Sequence, residues 1–392
     1  MSYKRMIANV CICFTLIGLF SGCGASQSGV IGTMLATTPS QSVKTATILV
    51  HPATPQLITP TSIPTITSTP YPLEGEIYFL VNENVINAVN VASGTTREIR
   101  NNQALTIDPI PVPSGHLFYL FGSLSQDQFQ VYRMNLDGSD AKRLAYDAYN
   151  DLIMAVSQDG SRIAYVQHPT SGGDNFYLSV IDFRKGGLTA EVFSSTESIV
   201  GLSWSNNGEK LAFYLWNPDF RINDQGIYGD LYVMDANGTN RTQIKSDLPI
   251  VYDPPAWSPD DRQVAISAYD KKGVNLYLID VNSGALKKLT DTSMEVRYPI
   301  WSPSGDKILF MQGSSYIVIS PDGTNQKVLG DQAPDFAPYK DAAWSPDGHY
   351  VAMNQNQSLV IVNADSGTSL QLFSPPGADN IDSLSWINTT QP

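Results

Sequence analysis

Short apolar runs, each introduced by a turn rich in Pro, Ser, Asp, Asn or Gly, recur from Glu74 to the end of the chain. Leu117–Leu120, Ile163–Val166, Leu211–Leu215, Val264–Ser267, Ile308–Met311 and Val351–Met353 are too short for stable helices and are expected to be buried strands. The turns before them form a series: Val112-Pro113-Ser114-Gly115, Val156-Ser157-Gln158-Asp159-Gly160, Trp204-Ser205-Asn206-Asn207-Gly208, Trp257-Ser258-Pro259-Asp260-Asp261, Trp301-Ser302-Pro303-Ser304-Gly305 and Trp344-Ser345-Pro346-Asp347-Gly348. Proline presets φ at the first corner, Asp or Asn caps through its side chain, and Gly accepts the positive φ that returns the chain. Asp261 stands where the other Trp turns have Gly and must carry backbone strain.

A second series follows at Ser93-Gly94, Asp137-Gly138, Gly186-Gly187, Asn237-Gly238, Ser283-Gly284, Asp322-Gly323 and Ser366-Gly367. Each has the composition of a hairpin turn, with strands such as Leu231–Met234, Leu276–Ile279 and Lys287–Thr290 beside it. The repeating unit is therefore four antiparallel strands, and seven units over residues 73–392 average about 46 residues, the size of a propeller blade. The first unit lacks its leading strand, and Ile381–Ile387 has the pattern that is missing. The expected fold is all-β: a seven-bladed β-propeller of four-stranded antiparallel blades, the first blade closed by the C-terminal strand. Radial repetition of this kind leaves only short, protected edges. A six-bladed ring is the alternative, because the units at residues 105–150 and 152–195 are degenerate.

The start of the chain follows other rules. Lys4 and Arg5 precede an apolar run from Met6 to Phe20, and Ser21-Gly22-Cys23 closes it, the layout of an export signal over residues 1–22. The segment resembles bacterial lipoprotein signals, and that resemblance implies that Cys23 is lipidated and holds the protein at a membrane. Cys11, Cys13 and Cys23 are the only cysteines, so the body of the protein has no disulfide. An ordinary cleaved signal or an uncleaved anchor is the alternative. Residues 23–72 are rich in Thr, Pro and Ser, carry one charge (Lys44) and have no aromatic residue before Tyr71. Such a stretch cannot build a core and is expected to be a tether, held extended by its Thr-Pro pairs.

The phrases Trp-Ser-Pro-Asp-Gly at residues 344–348, Leu-Tyr-Val-Met-Asp at 231–235 and their copies resemble the WD-repeat-like propeller units of the TolB family and of prolyl oligopeptidase propellers. The resemblance covers about residues 74–388, is specific for fold, and says little about function. A prolyl oligopeptidase would also need a hydrolase domain with a Gly-x-Ser-x-Gly elbow, and the chain has none.

Charge and candidate chemistry narrow the function. From residue 74 onward there are 21 basic and 37 acidic side chains, which speaks against a nucleic-acid partner. The four His are dispersed: His51 in the tether, His116 and His349 after equivalent turns of different blades, and His168 in a loop. No cofactor or transition-metal site is expected, and Asp235-Ala236-Asn237-Gly238 lacks the other ligands of a calcium loop. Asp137, Asp322, Asp347 and Asp365 are expected to cap turns.

The fourth unit is longer than the others between its second and third strands, at residues 216–229. Trp216, Phe220, Arg221 and Tyr228 there, with Tyr252, Asp253, Arg297, Tyr298, Tyr339 and Lys340 from the connections between units, are the candidate binding residues. Aromatic and Arg side chains dominate recognition hot spots. Trp216 and Phe220 folding down as a small local core is an equal alternative. Acids on the same connections, including Asp147, Asp151, Glu197, Asp291, Glu295, Asp331 and Asp335, would steer a basic partner there. The expectation is a non-enzymatic, exported, lipid-anchored, monomeric scaffold that binds an envelope or extracellular protein. A glycan-binding propeller is the runner-up, and a polysaccharide lyase or hydrolase a more distant one.

Overall fold

The computed structural model describes residues 73–389 apart from 103–104, 124–127, 149–152, 168–174, 222–226, 245–248, 252, 332–340 and 376–379. Cys23 and the rest of the signal and tether lie outside the described residues. The described chain folds into twenty-eight strands, β1 to β28 in chain order, which form seven four-stranded antiparallel blades. Their innermost strands are β28 (Ile381–Ile387), β4 (Leu105–Val112), β8 (Met154–Val156), β12 (Ser198–Trp204), β16 (Ala256–Trp257), β20 (Val296–Trp301) and β24 (Ala342–Trp344) in blades 1 to 7. Blades 2 and 3 are joined by one extra pairing of Ala148 with Gln167. No helix among the described residues is long and apolar enough to cross a membrane.

Ring closure is as the sequence leads one to expect. Blade 1 has the order β28, β1 (Glu76–Val81), β2 (Val85–Asn90) and β3 (Thr96–Asn101), so the C-terminal strand is its innermost member. Ile77 pairs with Trp386 and Val81 with Ile381. Gly75 at φ +90° makes this possible, because a Cβ there would collide with the Ile387 carbonyl.

The Ser-Pro turns have a chemistry beyond φ. The Ser258 and Ser345 hydroxyls each accept the N–H of the residue five positions on, at 2.9 Å, and each donates to the turn Asp, Asp260 at 2.6 Å and Asp347 at 2.5 Å. Asp137 and Asp322 likewise cap their turns by accepting from Ser139 and Thr324. Asp365 does not: in that turn Asn363 accepts the N–H groups of Asp365 and Ser366, and the Asp365 carboxylate instead faces Lys307 at 3.3 Å. Asp261 adopts φ 58°, the strained conformation, and its carboxylate accepts the N–H of Asn206 at 2.6 Å and of Asn207 at 3.1 Å. The residue that bears the strain thereby fastens the turn of blade 4 to that of blade 5.

The core lies between blades. Clusters such as Leu309, Val318, Trp344, Val351 and Met353 fill the seam of blades 6 and 7, and Ile77, Phe79, Ala352, Ile361, Ile381 and Trp386 that of blades 7 and 1. At each seam two apolar sheet faces leave water together. The tryptophans that end the inner strands also reach backwards around the ring. The indole N–H of Trp204 donates to the Ala155 carbonyl at 3.0 Å, Trp301 to Ala256 at 3.0 Å and Trp344 to Ile300 at 3.2 Å. Trp386 donates instead to Glu74 at 2.9 Å, and the buried indole nitrogen of Trp257 has no partner among the described residues.

Candidate functional site

Four inner strands carry a bulge whose first residue has a positive φ: Asp108 at 47°, Gly201 at 59°, Tyr298 at 53° and Ser383 at 56°. Such a bulge skips one place in the ladder and re-aims the side chains that follow. Asp108 and Tyr298 contribute to the lining of a central cavity of about 590 Å³, bounded by the inner strands of blades 2 to 6. Its other lining residues include Trp204, Trp257, Pro259, Trp301 and Pro303, so it reaches the level of the Ser-Pro turns. Strand direction makes this the face opposite the connections between blades.

On the inter-blade side, Asp253, Arg297 and Tyr298 come together. Asp253 leads into β16 and is buried, and Arg297 is the second residue of β20. The Arg297 guanidinium donates to both Asp253 oxygens, from Nε at 3.0 Å and from Nη2 at 2.8 Å, and the Tyr298 N–H donates to the same carboxylate at 2.8 Å. Arg297 also reaches Glu295 at 2.9 Å and lies over the Tyr298 ring, 5.0 Å from its centre. Burial disfavours the Arg297 charge, but Asp253 more than offsets this and holds the guanidinium above its ordinary value. Burial, then the Asp253 charge, pushes the Tyr298 hydroxyl up to about 12. These residues form a clasp between blades 5 and 6, with most of their hydrogen-bonding capacity already used.

The long segment of blade 4 is mostly strand. β13 (Lys210–Arg221) is twelve residues long, where the other second strands have five to eight. It pairs with β14 (Ile227–Asp235), Trp216 opposite Gly229 and, after an irregularity, Arg221 opposite Ile227. The ladder thus runs past Ser198, where the inner strand of the blade begins, and carries Phe220, Arg221 and Tyr228 beyond the body of the blade on the inter-blade side. Trp216 itself is only 4% exposed. It belongs to the packing of the blade. Tyr252, Tyr339 and Lys340 lie outside the described residues.

Several acids that sequence placed on the rim are engaged within the protein. Asp291 pairs with Lys272 and, at 2.5 Å, with Lys288, while Glu295 and Asp253 share Arg297. Two acids that no local pattern singled out are buried where inner strands begin: Asp341, just before β24, and Asp382, in β28. Among the described residues no group of three or more His, Cys, Asp or Glu is arranged to hold a metal ion.

A family model described as the TolB beta propeller domain matches residues 160–387. Over 140 residues the chain is 26% identical to an uncharacterized protein of Agrobacterium fabrum, a match covering 34% of this chain and 47% of that one. Over 134 residues it is 27% identical to the Tol-Pal system protein TolB of Thioalkalivibrio sulfidiphilus, covering 33% and 29%. The chain therefore spans about half the length, or less, of the curated relatives it matches. Among solved structures, TolB from Acinetobacter baumannii superposes with a TM-score of 0.50 at 15% identity, covering 80% of this chain and 82% of that one. An oligogalacturonate lyase in complex with manganese gives 0.55 at 11% identity, covering 73% and 81%. A puromycin-hydrolyzing peptidase of Mycobacterium tuberculosis gives 0.57 at 15% identity, covering 80% and 53%. At such identities the likeness is one of fold, shared by binding proteins and enzymes alike.

Proposed function

This chain belongs to the TolB beta propeller domain family, and on that premise we propose that it is an exported, lipid-anchored, non-enzymatic scaffold that recognises an envelope or extracellular protein. The observation that carries the proposal is the extended β13–β14 ladder. β13 and β14 continue past the start of the inner strand, with Arg221 paired to Ile227, and binding residues held on paired strands lose less entropy on complex formation than residues on open loops. Phe220, Arg221 and Tyr228 are the residues on this projecting ladder best suited to a protein surface.

The first described residues of the chain meet the propeller on the face opposite the projection. Leu73 and Glu74 lie beside Ser345, Asp347, Tyr350 and Trp386, on the Ser-Pro turn face. Because Asp253, Asp291 and Glu295 are internally paired, contact with a partner falls to the projection more than to an acidic rim.

The test is capture from native envelope extract by residues 73–392, run beside a variant whose 217–228 segment is replaced by a short Gly-Ser turn. Trp216 is kept because it is packed in the blade, and circular dichroism confirms that the variant folds. Capture of one defined protein by the parent alone supports the proposal. Capture of a polysaccharide, competed by soluble saccharide, would make the protein a glycan-binding module instead. Equal capture by both proteins would move the site off the projection.

A further inference from the structure

The seam where blade 7 meets blade 1 closes the ring, and it holds a concentration of buried polar atoms without partners. Asp341 and Asp382 are 3% and 4% exposed. Both carboxylate oxygens of Asp341, Oδ1 of Asp382, Oδ1 of Asn354 and the Ser383 hydroxyl have no hydrogen-bond partner among the described residues. Asn354, in β25 (Tyr350–Gln355), bridges the two strands of the seam. Its N–H donates to the Asp341 carbonyl at 2.9 Å, and its side-chain amide donates to the Ile381 carbonyl at 2.5 Å. Acceptors therefore outnumber donors at the point where the circle is completed.

Among the described residues, the charges facing these groups are of one sign. Asp341 is faced by Asp382 from β28, by the Tyr298 ring from β20, and by Tyr316 of blade 6, whose hydroxyl donates to the Asp341 carbonyl at 3.3 Å. Asp382 is faced by Glu83, in the turn between β1 and β2, and by Asp108 of β4. Arg297, on the neighbouring inner strand, is engaged by Asp253 and Glu295. Burial, reinforced by Asp382, pushes Asp341 up to about 8; the Ser383 N–H, outside hydrogen-bond geometry, opposes this without reversing it. Burial, reinforced by Glu83 and Asp108 and opposed by the neighbouring Ser383 hydroxyl, pushes Asp382 up to about 7. An ionised carboxylate here would be buried without a counter-charge among the described residues, whereas a carboxylic acid brings a donor with it.

We propose that Asp341 and Asp382 are held as carboxylic acids in the folded protein, making the blade 7–blade 1 closure a proton-dependent latch that loosens as pH rises through neutrality. In the unfolded chain both groups ionise near pH ~4, so above that pH the folded state retains protons that the unfolded state has released. Each retained proton raises the unfolding constant by about tenfold per pH unit, until the folded group itself titrates. The latch is therefore at full strength below about pH 4 and is lost as pH climbs to about 8.

The experiment follows urea denaturation of the full chain between about pH 5 and about pH 8.5, for the wild type, Asp341→Asn, Asp382→Asn and the exposed control Asp365→Asn. The amide has the shape of the protonated acid. The expected result is a wild-type midpoint that falls with pH, a flatter profile with a higher midpoint at alkaline pH in each seam variant, and a slope unchanged by Asp365→Asn. Infrared spectroscopy of the wild type reads protonation directly and needs no variant to fold. The carboxylic-acid C=O band should be present at neutral pH and vanish on alkaline titration. A wild-type midpoint that is flat or rises with pH, or the absence of that band, overturns the proposal. So does stabilisation of the wild type at alkaline pH by calcium, magnesium or spermidine that the seam variants lose, since the pair would then be ionised around a cation.

Discussion

Replacing Asp253 with Ala separates an architectural role for the blade 5–6 clasp from a role in partner contact. Asp253 accepts from Arg297 at 2.8 to 3.0 Å and from the Tyr298 N–H at 2.8 Å, and its side chain is 1% exposed against 24% for Arg297. Removing one partner of a fully buried ion pair costs about 3–5 kcal/mol. Arg297 is about a quarter open to solvent and keeps Glu295, which argues for the lower end, about 3 kcal/mol. The Tyr298 amide left without an acceptor adds about 1 kcal/mol. With an unfolding entropy of about 2.1 cal/mol/K per residue over about 320 residues, Tm should drop by about 6 °C. Urea denaturation followed by tryptophan fluorescence, with calorimetry, measures it. A double variant, Asp253→Leu with Arg297→Met, should be more stable than Asp253→Ala, because no charge is left stranded. A loss for Asp253→Ala of less than about 1 kcal/mol, or simple additivity with Arg297→Met in the cycle, would refute the clasp. Unchanged stability with lost capture of a partner would show that the carboxylate faces outward chemistry instead.

Other perturbations should follow the same logic. Trp344→Phe removes an indole N–H bonded to the Ile300 carbonyl, whereas Trp257→Phe removes one with no partner, so in denaturation the former should be the costlier by about 1 kcal/mol. Asp261→Ala keeps the positive φ but loses the acceptor of two N–H groups from the neighbouring blade, and should cost about 1–2 kcal/mol in denaturation, whereas Asp261→Gly, which relieves the strain, should cost less. Asp270 is well below its ordinary value: burial raises it, but Lys288 at 2.6 Å, the Tyr277 hydroxyl and the Lys272 N–H outweigh burial. Its stabilisation is present above about pH 4 and lost as pH falls further. Asp270→Asn should therefore lower Tm at neutral pH and weaken the acid limb of a Tm–pH profile, the opposite sign to the seam acids.

Much of the ring was legible because its signals are local. A Ser-Pro-Asp-Gly turn declares itself within five residues, and the pattern ending at Trp386 could be matched to the strand missing before Glu76 without knowing any distance. The clasp was not legible as a clasp. Asp253 and Arg297 were singled out for their types and their place on the inter-blade connections, but that they consume one another depends on two blades meeting 44 residues apart. The 216–229 segment looked like a loop because Asn, Pro, Asp and Gly make up half of it; pairing nevertheless resumes at Arg221 and Ile227 after a register shift, because β14 offers backbone partners there. Trp216 is the clearest misplacement. An aromatic at the start of an insertion suggests an exposed anchor, yet its pairing with Ser198 keeps it within the sheet. Asp341 offered no local cue at all, since its burial is imposed by the strand that arrives from the far end of the chain.

That late arrival also sets an order of events. Trp386 donates its indole hydrogen to Glu74, 312 positions earlier, and β28 is the innermost strand of the first blade. Contacts so distant in sequence form slowly, and during synthesis the inner strand of blade 1 is the last of the seven to leave the ribosome. Until then six blades can accumulate only as an open arc, with β1 lacking a neighbour on one side. The circle therefore cannot lock before β28 has been made. The same arrangement makes residues 381–387 a quality check: a product truncated before them keeps an exposed sheet edge, the feature by which proteases and aggregation machinery recognise unfinished molecules.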